Sequence, residues 1–274
     1  MQQNWTGERL EAAITGDVLT EHLHRYAIAL AFARGKKVLD LACGEGYGSC
    51  LLATIATSVH GIDIDEPCIQ QAAKKYTLPN LVFSCNPADR LPLPDASVDL
   101  ITCFETLEHL DDHLSLLQEC KRVLAKDGLL IISTPEKKNY SDDRQYRNPF
   151  HKKELYETGF RDLMTRFFRN NSFYYQQTLA GSLLTPADSP GCEVVEFYSG
   201  DRNQINKSAS GKPMYLLAFC SDSDLPAVPC SVFRATHTAG ELAAAETERL
   251  KKTLTYRLGH LLLFPFKTIR NRMR

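Results

Sequence analysis

The chain has 274 residues, of which 43% are hydrophobic and 24% are charged. This is ordinary globular usage, and it excludes a mainly disordered chain because so much apolar surface can be buried on folding. The apolar runs at residues 26–33 and 261–266 are far shorter than the about 20 residues that a membrane-spanning helix needs. Residues 1–10 are polar, so we expect no signal peptide.

The charge is spread unevenly along the chain, although the formal net charge is only −1. Residues 251–274 contain seven of the 32 basic residues and none of the 33 acidic ones, so residues 1–250 are clearly acidic. An acidic body argues against nucleic acid as a partner, because phosphates attract Lys and Arg. The nine cysteines form no C-x-x-C pair and lack zinc-ligand spacing with histidines. We therefore expect reduced thiols in a cytoplasmic protein.

The hydrophobic pattern predicts alternating helices and strands up to residue 135. Helices are predicted over residues 21–34, 47–57, 66–76 and 113–124, and strands over residues 37–41, 59–63, 81–85, 98–104 and 128–133. Strands that alternate with helices pair in parallel through right-handed crossovers. Continuous apolarity in the strands indicates a sheet covered on both faces. The sequence therefore predicts an α/β fold with a doubly wound, mostly parallel sheet.

The pattern changes beyond Pro135. We expect a loop over residues 136–148, a helix over 152–168, and two strands over 192–198 and 214–220 that pair antiparallel, because the segment between them is too short for a crossover helix. Residues 239–255 have strong helix propensity. We expect an N-terminal helical lid over residues 1–30, a main ligand-binding domain over 31–222, and a linker with a basic C-terminal helix over 223–274.

Three glycines follow the first predicted strand, in the sequence DLACGEGYG that begins at Asp40. Gly44, Gly46 and Gly48 let the backbone turn tightly and approach a ligand where a side chain would collide. The helix that follows presents its N-terminal amides at the same place. The spacing is G-x-G-x-G rather than the G-x-G-x-x-G of a dinucleotide loop, and no Gly-Lys-Ser/Thr of a phosphate-binding loop follows.

Acidic residues follow the next three predicted strands and so fall on the same edge of the sheet. Asp63 ends the second strand about twenty residues after the glycine loop, where an acid can accept hydrogen bonds from ribose hydroxyls. Asp89 follows the third strand, and Glu105 follows the fourth. One acid for a ribose, one for an adenine amine and a glycine loop without lysine indicate a nucleoside ligand that lacks phosphate.

These segments resemble the class I S-adenosylmethionine-dependent methyltransferases, with a Rossmann-like methyltransferase fold. VLDLACGEGYGS is similar to their glycine loop, VHGIDID to their ribose-binding strand end, ADRLPLPDASVDLI to their adenine segment, and FETLEHLDD to the end of their fourth strand. The resemblance spans roughly residues 37–135 and implies S-adenosyl-L-methionine as the cofactor. The cofactor-binding residues that we predict are Asp40, Gly44, Glu45, Gly46, Gly48, Asp63, Ile64, Ala88, Asp89, Phe104, Glu105 and Arg25.

The resemblance also implies which part of the cofactor each residue meets. Asp40 and the glycine loop would line the methionine part, and Phe104 and Glu105 would close that side. Asp63 would bind the ribose. Ala88 and Asp89 would meet the adenine. Independently of the resemblance, Arg9 or Arg25 could pair with the cofactor's carboxylate from the N-terminal lid, although a surface position is favoured for each of these arginines.

Flanking segments resemble methyltransferases found with bacterial surface-polysaccharide biosynthesis. They include WTGER from Trp5, EHLHRY from Glu21, NPFHKKEL from Asn148 and KPMY from Lys212. This resemblance implies a sugar or sugar-phosphate acceptor, that is, a glycan or small-molecule partner. Two alternatives stay open: a methyltransferase for a small metabolite such as a quinone precursor, and a non-catalytic module that only binds the cofactor.

His109 and His151 are the candidate catalytic bases, because a sugar hydroxyl must lose its proton and an imidazole titrates near neutrality. The alternative for each is a structural role at the start of a helix. The paired acids Asp111-Asp112 and Asp142-Asp143 could bind a divalent ion. Paired surface acids more often cap helices or stay solvated, so we predict no metal.

The C-terminal segment, residues 254–274, is basic and amphipathic. Leu254, Leu258, Leu261 and Leu262 follow helical spacing, and Pro265 interrupts the helix. Such a helix can lie on an anionic membrane surface or dock on a partner protein. Packing on its own domain is the alternative. Membrane contact would place the protein at the inner membrane face.

Overall fold

A computed structural model describes residues 17–179, 181–187, 197–200, 205–208 and 213–233. The helices are α1 (Asp17–Ala33), α2 (Tyr47–Ala53), α3 (Glu66–Lys75), α4 (His113–Val123) and α5 (Glu157–Phe167), with a 3-10 helix over Leu107–His109 and a π-helix over Lys138–Asp142. The strands are β1 (Lys37–Leu41), β2 (Ser58–Asp63), β3 (Leu81–Cys85), β4 (Val98–Phe104), β5 (Leu124–Pro135), β6 (Asn170–Leu179), β7 (Gly181–Pro186), β8 (Phe197–Gly200), β9 (Ile205–Ser208), β10 (Tyr215–Ser221) and β11 (Ser231–Phe233).

One sheet of the described residues has nine strands in the order β11-β7-β6-β10-β5-β4-β1-β2-β3. The five strands β3, β2, β1, β4 and β5 pair in parallel. β10 pairs antiparallel with β5 and with β6. The doubly wound α/β sheet is therefore confirmed, with five parallel strands that β10, β6, β7 and β11 extend by antiparallel pairing, where one antiparallel last strand was predicted. Because parallel strands end on the same edge, the segments after β1, β2 and β4 come together there.

The strands beyond residue 135 differ from the prediction. β10 does not pair with the strand predicted over residues 192–198; it lies between β5 and β6, and β8 pairs with β9 instead. β6 and β7 were not predicted at all. β6 has the polar sequence NNSFYYQQTL. Gln176 is nevertheless fully buried, and its side-chain amide is hydrogen-bonded to Arg25 and to the Glu21 carbonyl. A buried, paired glutamine hides the strand from a hydrophobicity pattern.

Several helix ends also differ from the prediction. α2 ends at Ala53 rather than at residue 57, and α5 begins at Glu157 rather than at residue 152. Residues predicted as a loop contain the π-helix Lys138–Asp142. The predicted helix at residues 239–255, the C-terminal tail 254–274 and Arg9 lie outside the described residues.

Two apolar clusters cover the two faces of the sheet. On one face, α4 and α5 contribute Leu116, Leu117 and Phe160, all fully buried. On the other face, α1 and α2 contribute Ala29 and Leu52, also fully buried. α1 lies largely within the segment expected to form a lid, and its inner face packs into this second cluster. The helices therefore fix the sheet and hold its carboxyl edge in place.

None of the helices among the described residues is both long and apolar enough to cross a bilayer. Seven described cysteines are free thiols, whereas Cys230 is disulfide-bonded. The expectation that all nine cysteines are reduced is therefore wrong at Cys230, because cysteine spacing along the chain does not determine disulfide pairing.

Candidate functional site

The glycine loop joins β1 to α2 and uses left-handed backbone geometry. Gly44 has φ 52° and Gly46 has φ 76°, a region that side chains disfavour. A Cβ atom at Gly44 would meet nothing within 4 Å, so this part of the loop faces open space. A Cβ atom at Gly46 would lie 2.7 Å from the Phe83 ring, and one at Gly48 would lie 1.9 Å from the Tyr26 ring. Gly46 and Gly48 are thus required by packing inside the protein, and Gly44 is the glycine that borders open space.

Asp40 lies beneath the loop and is only 1% exposed. Its carboxylate accepts hydrogen bonds from the hydroxyls of Ser49 (2.6 Å), Thr102 (2.7 Å) and Tyr26 (3.2 Å). Burial raises the pKa of Asp40 to about 6, although the three hydroxyl donors oppose this shift. The geometry makes Asp40 a support that ties β1 to α1, α2 and β4 directly below the loop.

Asp63 ends β2 and holds the loop from the side. Its Oδ2 accepts from the backbone amide of Gly44 at 2.9 Å, and its Oδ1 accepts from the amide of Asp65 at 3.0 Å. These bonds orient the carboxylate at the edge of the sheet next to Gly44. The expected ribose-binding acid and the open glycine are therefore neighbours.

The residues expected near the adenine lie on the outer side of this edge. Ile64 is 71% exposed, which is unusual for a large apolar side chain and leaves a surface on which a flat ring can pack. Asp89 is exposed, and Ala88 is half-buried against the core. Glu45 is half-buried in the loop.

Glu105 follows β4 in an uncommon conformation for its residue type, with φ 51°. Its Oε1 accepts from the Ser133 hydroxyl at 2.6 Å and lies 3.5 Å from Nη2 of Arg25. Phe104, just before it, is 7% exposed and packs edge-on against Tyr26. The end of β4 therefore presents a fixed carboxylate beside a buried arginine.

Arg25 is fully buried beside Glu105, where β4 ends. Its Nε donates to Oε1 of Gln176 at 2.8 Å, and its guanidinium lies over the Tyr215 ring at 4.5 Å. Burial alone would lower the pKa of Arg25, but Glu105 and other neighbours raise it above the ordinary value, so the side chain stays charged. Nη1 and Nη2 find no hydrogen-bond acceptor within the part of the chain that the structure describes.

Gln176 and Tyr215 were missed by the sequence analysis. They come from β6 and β10, more than 150 residues after Arg25 in the sequence, and nothing in the local pattern marks Gln176. The short motif KPMY, which contains Tyr215, was the one available signal.

His109 and His151 come together although 42 residues separate them. Their rings lie 5.2 Å apart, and His151 also stacks on Tyr140 at 5.4 Å. Nδ1 of His109 lies 3.2 Å from the Phe150 carbonyl oxygen, and Nδ1 of His151 lies 2.6 Å from Oε1 of Glu154. Since both partners are acceptors, both imidazoles donate from Nδ1. Glu154 was not predicted.

A cleft of about 410 Å³ opens beside His151. It is lined by Lys137, Ser141, Asp142, Gln145, Tyr146, Arg147, Asn148, His151, Lys152 and Glu154. The lining residues all carry polar or charged groups, with three basic side chains against two acidic ones. Glu108, next to His109, is 1% exposed, and burial followed by the nearby Glu105 raises its pKa well above the usual range.

The paired acids serve other purposes. Asp112 caps α4, where its carboxylate accepts from the amides of Leu114 and Ser115. Asp111 pairs with Lys152 at 3.4 Å. Asp142 accepts from the Tyr156 hydroxyl at 2.8 Å. These contacts match the capping and surface roles favoured from the sequence.

Known proteins are similar to this chain over the region that contains the glycine loop. Residues 39–132 match the model of a family described as a methyltransferase domain. A probable S-adenosylmethionine-dependent methyltransferase of Mycobacterium tuberculosis is 43% identical over 121 residues, which are 44% of this chain and 43% of that protein. A ubiquinone biosynthesis O-methyltransferase of Haemophilus ducreyi is 38% identical over 109 residues, which are 36% of this chain and 45% of that protein. The chain thus spans less than half the length of these relatives.

Solved structures agree on the fold. The YcgJ protein of Bacillus subtilis has a TM-score of 0.52 at 20% identity, covering 74% of this chain and 100% of that one. A putative S-adenosylmethionine-dependent methyltransferase from Listeria monocytogenes has a TM-score of 0.52 at 16% identity, covering 75% of this chain and 98% of that one.

The residues at the carboxyl edge fit the cofactor that this fold implies. A buried guanidinium with two nitrogens that meet no acceptor among the described residues suits the cofactor's carboxylate. The open space at Gly44 suits close approach of a ligand to the backbone. Residues 39–132 thus match a methyltransferase domain, and the described residues have the Rossmann-like fold of the solved methyltransferase structures.

Proposed function

We propose that this protein transfers a methyl group from S-adenosylmethionine to a hydroxyl of a sugar or sugar phosphate, a precursor of a bacterial surface polysaccharide. The observation that supports donor binding is Arg25, a buried charge beside Glu105 whose Nη1 and Nη2 meet no acceptor among the described residues. A buried charge without full pairing is costly, so a ligand carboxylate at this place gains binding energy.

The donor is held by residues from four elements. Arg25 of α1 receives the carboxylate, and Glu105 after β4 attracts the ammonium group. Asp63 accepts from the ribose hydroxyls while it orients Gly44. Ile64 offers its exposed apolar surface to the adenine ring, whose amine meets Asp89. Asp40 lies beneath the loop and supports it. Its carboxylate accepts hydrogen bonds from three hydroxyls and so connects β1 to α1, α2 and β4.

The acceptor side is the polar cleft next to His151. Lys137, Arg147 and Lys152 line it, and the exposed Tyr146 ring, 44% accessible, gives a flat surface. Aromatic faces pack against sugar rings, and basic side chains attract phosphate or carboxylate groups. These features support an anionic sugar as the acceptor.

S-adenosylmethionine supplies a methyl group on a positively charged sulfur, which needs no further activation. The chain's contribution is to position the two reactants and to exclude water. A sugar hydroxyl must also give up its proton. His151 lines the cleft, and the His109 ring lies 5.2 Å from the His151 ring. Because Nδ1 of each ring donates, Nε2 is the nitrogen that can receive that proton, which in His151 displaces the contact with Asn148.

A direct test measures donor binding and turnover separately. Calorimetry with S-adenosylmethionine should show one site per chain. Incubation with a panel of nucleotide sugars and sugar phosphates should release S-adenosylhomocysteine with at least one of them. Binding without turnover on a broad panel would favour a non-catalytic binding module, and absence of binding would refute the proposal.

A small-metabolite acceptor is the second candidate, and one observation favours it. The relatives of known name include ubiquinone biosynthesis O-methyltransferases, at 38% identity over 109 residues for that of Haemophilus ducreyi. Catechol-type quinone precursors therefore belong in the same panel. If catechols were methylated and sugars were not, the acceptor would be a small metabolite, and the methyltransferase proposal would still hold.

A further inference from the structure

Three side chains with metal-ligating atoms converge where β4 ends. Glu108 and His109 lie in the 3-10 helix Leu107–His109, and His151 comes from the segment that precedes α5. One ligand atom of each lies within 4.8 Å of the other two. Glu108 is 1% exposed and the His151 side chain 6%, so the fold holds two of the three donors in fixed positions.

The spacing of Glu108 and His109 suits a shared ion better than a direct bond. Oε1 of Glu108 and Nε2 of His109 are 3.9 Å apart. This separation is too long for a hydrogen bond. Two ligands that each lie about 2.0–2.2 Å from one metal ion are separated by about 3–4 Å, so the pair has the spacing of neighbouring ligands.

Both imidazoles have the orientation that metal-binding histidines adopt. Nδ1 of His109 donates to the Phe150 carbonyl, and Nδ1 of His151 donates to Glu154. A histidine that ligates through one nitrogen commonly donates the other N–H to a carbonyl or a carboxylate, which fixes the ring. Nε2 of His151 lies 3.0 Å from the side-chain nitrogen of Asn148, and an ion would replace that hydrogen bond.

We propose that Glu108, His109 and His151 bind a divalent transition-metal ion such as Zn²⁺ or Mn²⁺, and that its open coordination positions hold a hydroxyl oxygen of the acceptor. Two imidazoles and one carboxylate are a donor set that suits these ions and leaves positions open. This inference rests on the methyltransferase function proposed above. It makes the two histidines ligands rather than bases.

The chemistry that follows is an ordinary displacement at carbon. A hydroxyl bound to a divalent ion ionises more readily, and its proton passes to the solvent. The acceptor oxygen then forms a bond to the methyl carbon, the carbon–sulfur bond breaks, and its electron pair stays on sulfur. The neighbouring cleft, with Lys137, Arg147 and Lys152, brings the anionic part of the acceptor beside the ion.

Metal binding is tested first without any reaction. The full chain without a histidine tag is stripped with EDTA, dialysed, and titrated calorimetrically with ZnCl₂ and separately with MnCl₂. We expect one ion per chain for at least one of the two metals. Addition of CoCl₂ should produce a visible absorption that reports nitrogen and oxygen ligands. Absence of stoichiometric binding of either metal would overturn the proposal.

Substitutions locate the ion. Glu108→Gln and His109→Ala should each weaken binding by at least about tenfold, because each removes a ligand. His60→Ala, which removes an imidazole of β2 outside the cluster, should leave metal affinity unchanged. Circular dichroism confirms that each variant is folded, and donor affinity serves as a second check of the fold. Equal metal affinity in all three variants and the wild type would place the ion elsewhere and refute the assignment.

Two further measurements separate this inference from the proposed function. Turnover with an identified acceptor should fall at least about tenfold in EDTA and return when the metal is restored. Turnover that is unchanged by EDTA would refute the metal and leave methyl transfer intact. Stoichiometric metal binding lost in Glu108→Gln, combined with no binding of S-adenosylmethionine, would support the ion and refute the methyltransferase.

Discussion

Arg25 offers the sharpest test of where the donor's carboxylate binds. Nη1 and Nη2 are buried and meet no acceptor in the described ranges, so each can form a charge-assisted hydrogen bond with a carboxylate oxygen. Hydrogen bonds to charged groups contribute roughly 1.5–3 kcal/mol each. Since Glu105 already shares part of the charge at 3.5 Å, we take about 3 kcal/mol for the pair. This corresponds to a roughly 100-fold change in dissociation constant.

The test changes the ligand as well as the protein. Wild-type protein should bind decarboxylated S-adenosylmethionine roughly 100-fold more weakly than the intact donor. Arg25→Met should bind the two ligands with nearly equal affinity, because the group that distinguishes them is gone. Arg25→Lys keeps the charge but loses the planar fork, so its discrimination should lie between the two. Calorimetry with both ligands gives the four dissociation constants of the cycle.

Arg34→Met is the matched control, since Arg34 is exposed just beyond the end of α1 and should keep full discrimination. Arg25→Met also removes the donor to Gln176, so its thermal unfolding must be measured in parallel. The comparison of the two ligands in the wild type does not depend on any variant being folded. If the wild type bound the decarboxylated compound as tightly as the intact donor, the carboxylate assignment would be wrong.

Three other predictions follow from the same edge of the sheet and from the tail. Asp63→Asn should weaken donor binding by roughly 10- to 100-fold, because a charged acceptor for the ribose hydroxyls contributes roughly 1.5–3 kcal/mol; an unchanged calorimetric affinity would reassign Asp63 to support of the loop alone. Burial raises the pKa of Asp40 from 3.8 to about 6, so the native state binds the proton more tightly than the unfolded chain. The contribution of Asp40 to stability is therefore present below pH 3.8 and is lost as the pH rises through about 6, a loss of about 3 kcal/mol. Asp40→Asn should lack that loss in urea unfolding between pH 4 and pH 7, and parallel profiles for the two proteins would contradict the burial argument. Deletion of residues 254–274 should release the protein from anionic vesicles in a flotation assay, because each basic residue near such a surface contributes about 1 kcal/mol; unchanged flotation would dismiss membrane contact by the tail.

The pattern of the sequence predicted the parallel half of the sheet closely. β1, β3 and β4 have the predicted bounds, and β2 and α3 differ by one residue at one end. β5 is longer than predicted, Leu124–Pro135 rather than residues 128–133, and α1 begins at Asp17 rather than at residue 21. Buried parallel strands are continuous apolar runs, and turns and caps separate them clearly from helices. The antiparallel half was predicted poorly, because β6 buries polar side chains that only long-range hydrogen bonds make acceptable inside a protein.

The three glycines show which structural details a sequence motif predicts and which it does not. The spacing of Gly44, Gly46 and Gly48 located the loop, but it gave all three the same expected role. The structure separates them, because the rings of Phe83 and Tyr26 occupy the space beside Gly46 and Gly48. A substitution at Gly46 would therefore disturb packing as well as ligand binding, and Gly44 is the better position at which to test the loop.

The sequence by itself determined that the glycine loop, Asp63 and Glu105 share one edge of a sheet, since the carboxyl ends of neighbouring parallel strands meet there. Only the tertiary structure decided that Arg25 is buried between Glu105, Gln176 and Tyr215, and that His151 faces His109. The physical reason is that these contacts join segments that lie far apart in the sequence. Strand ends follow from local patterns of hydrophobicity, whereas the partner of a buried charge depends on which distant segments pack around it.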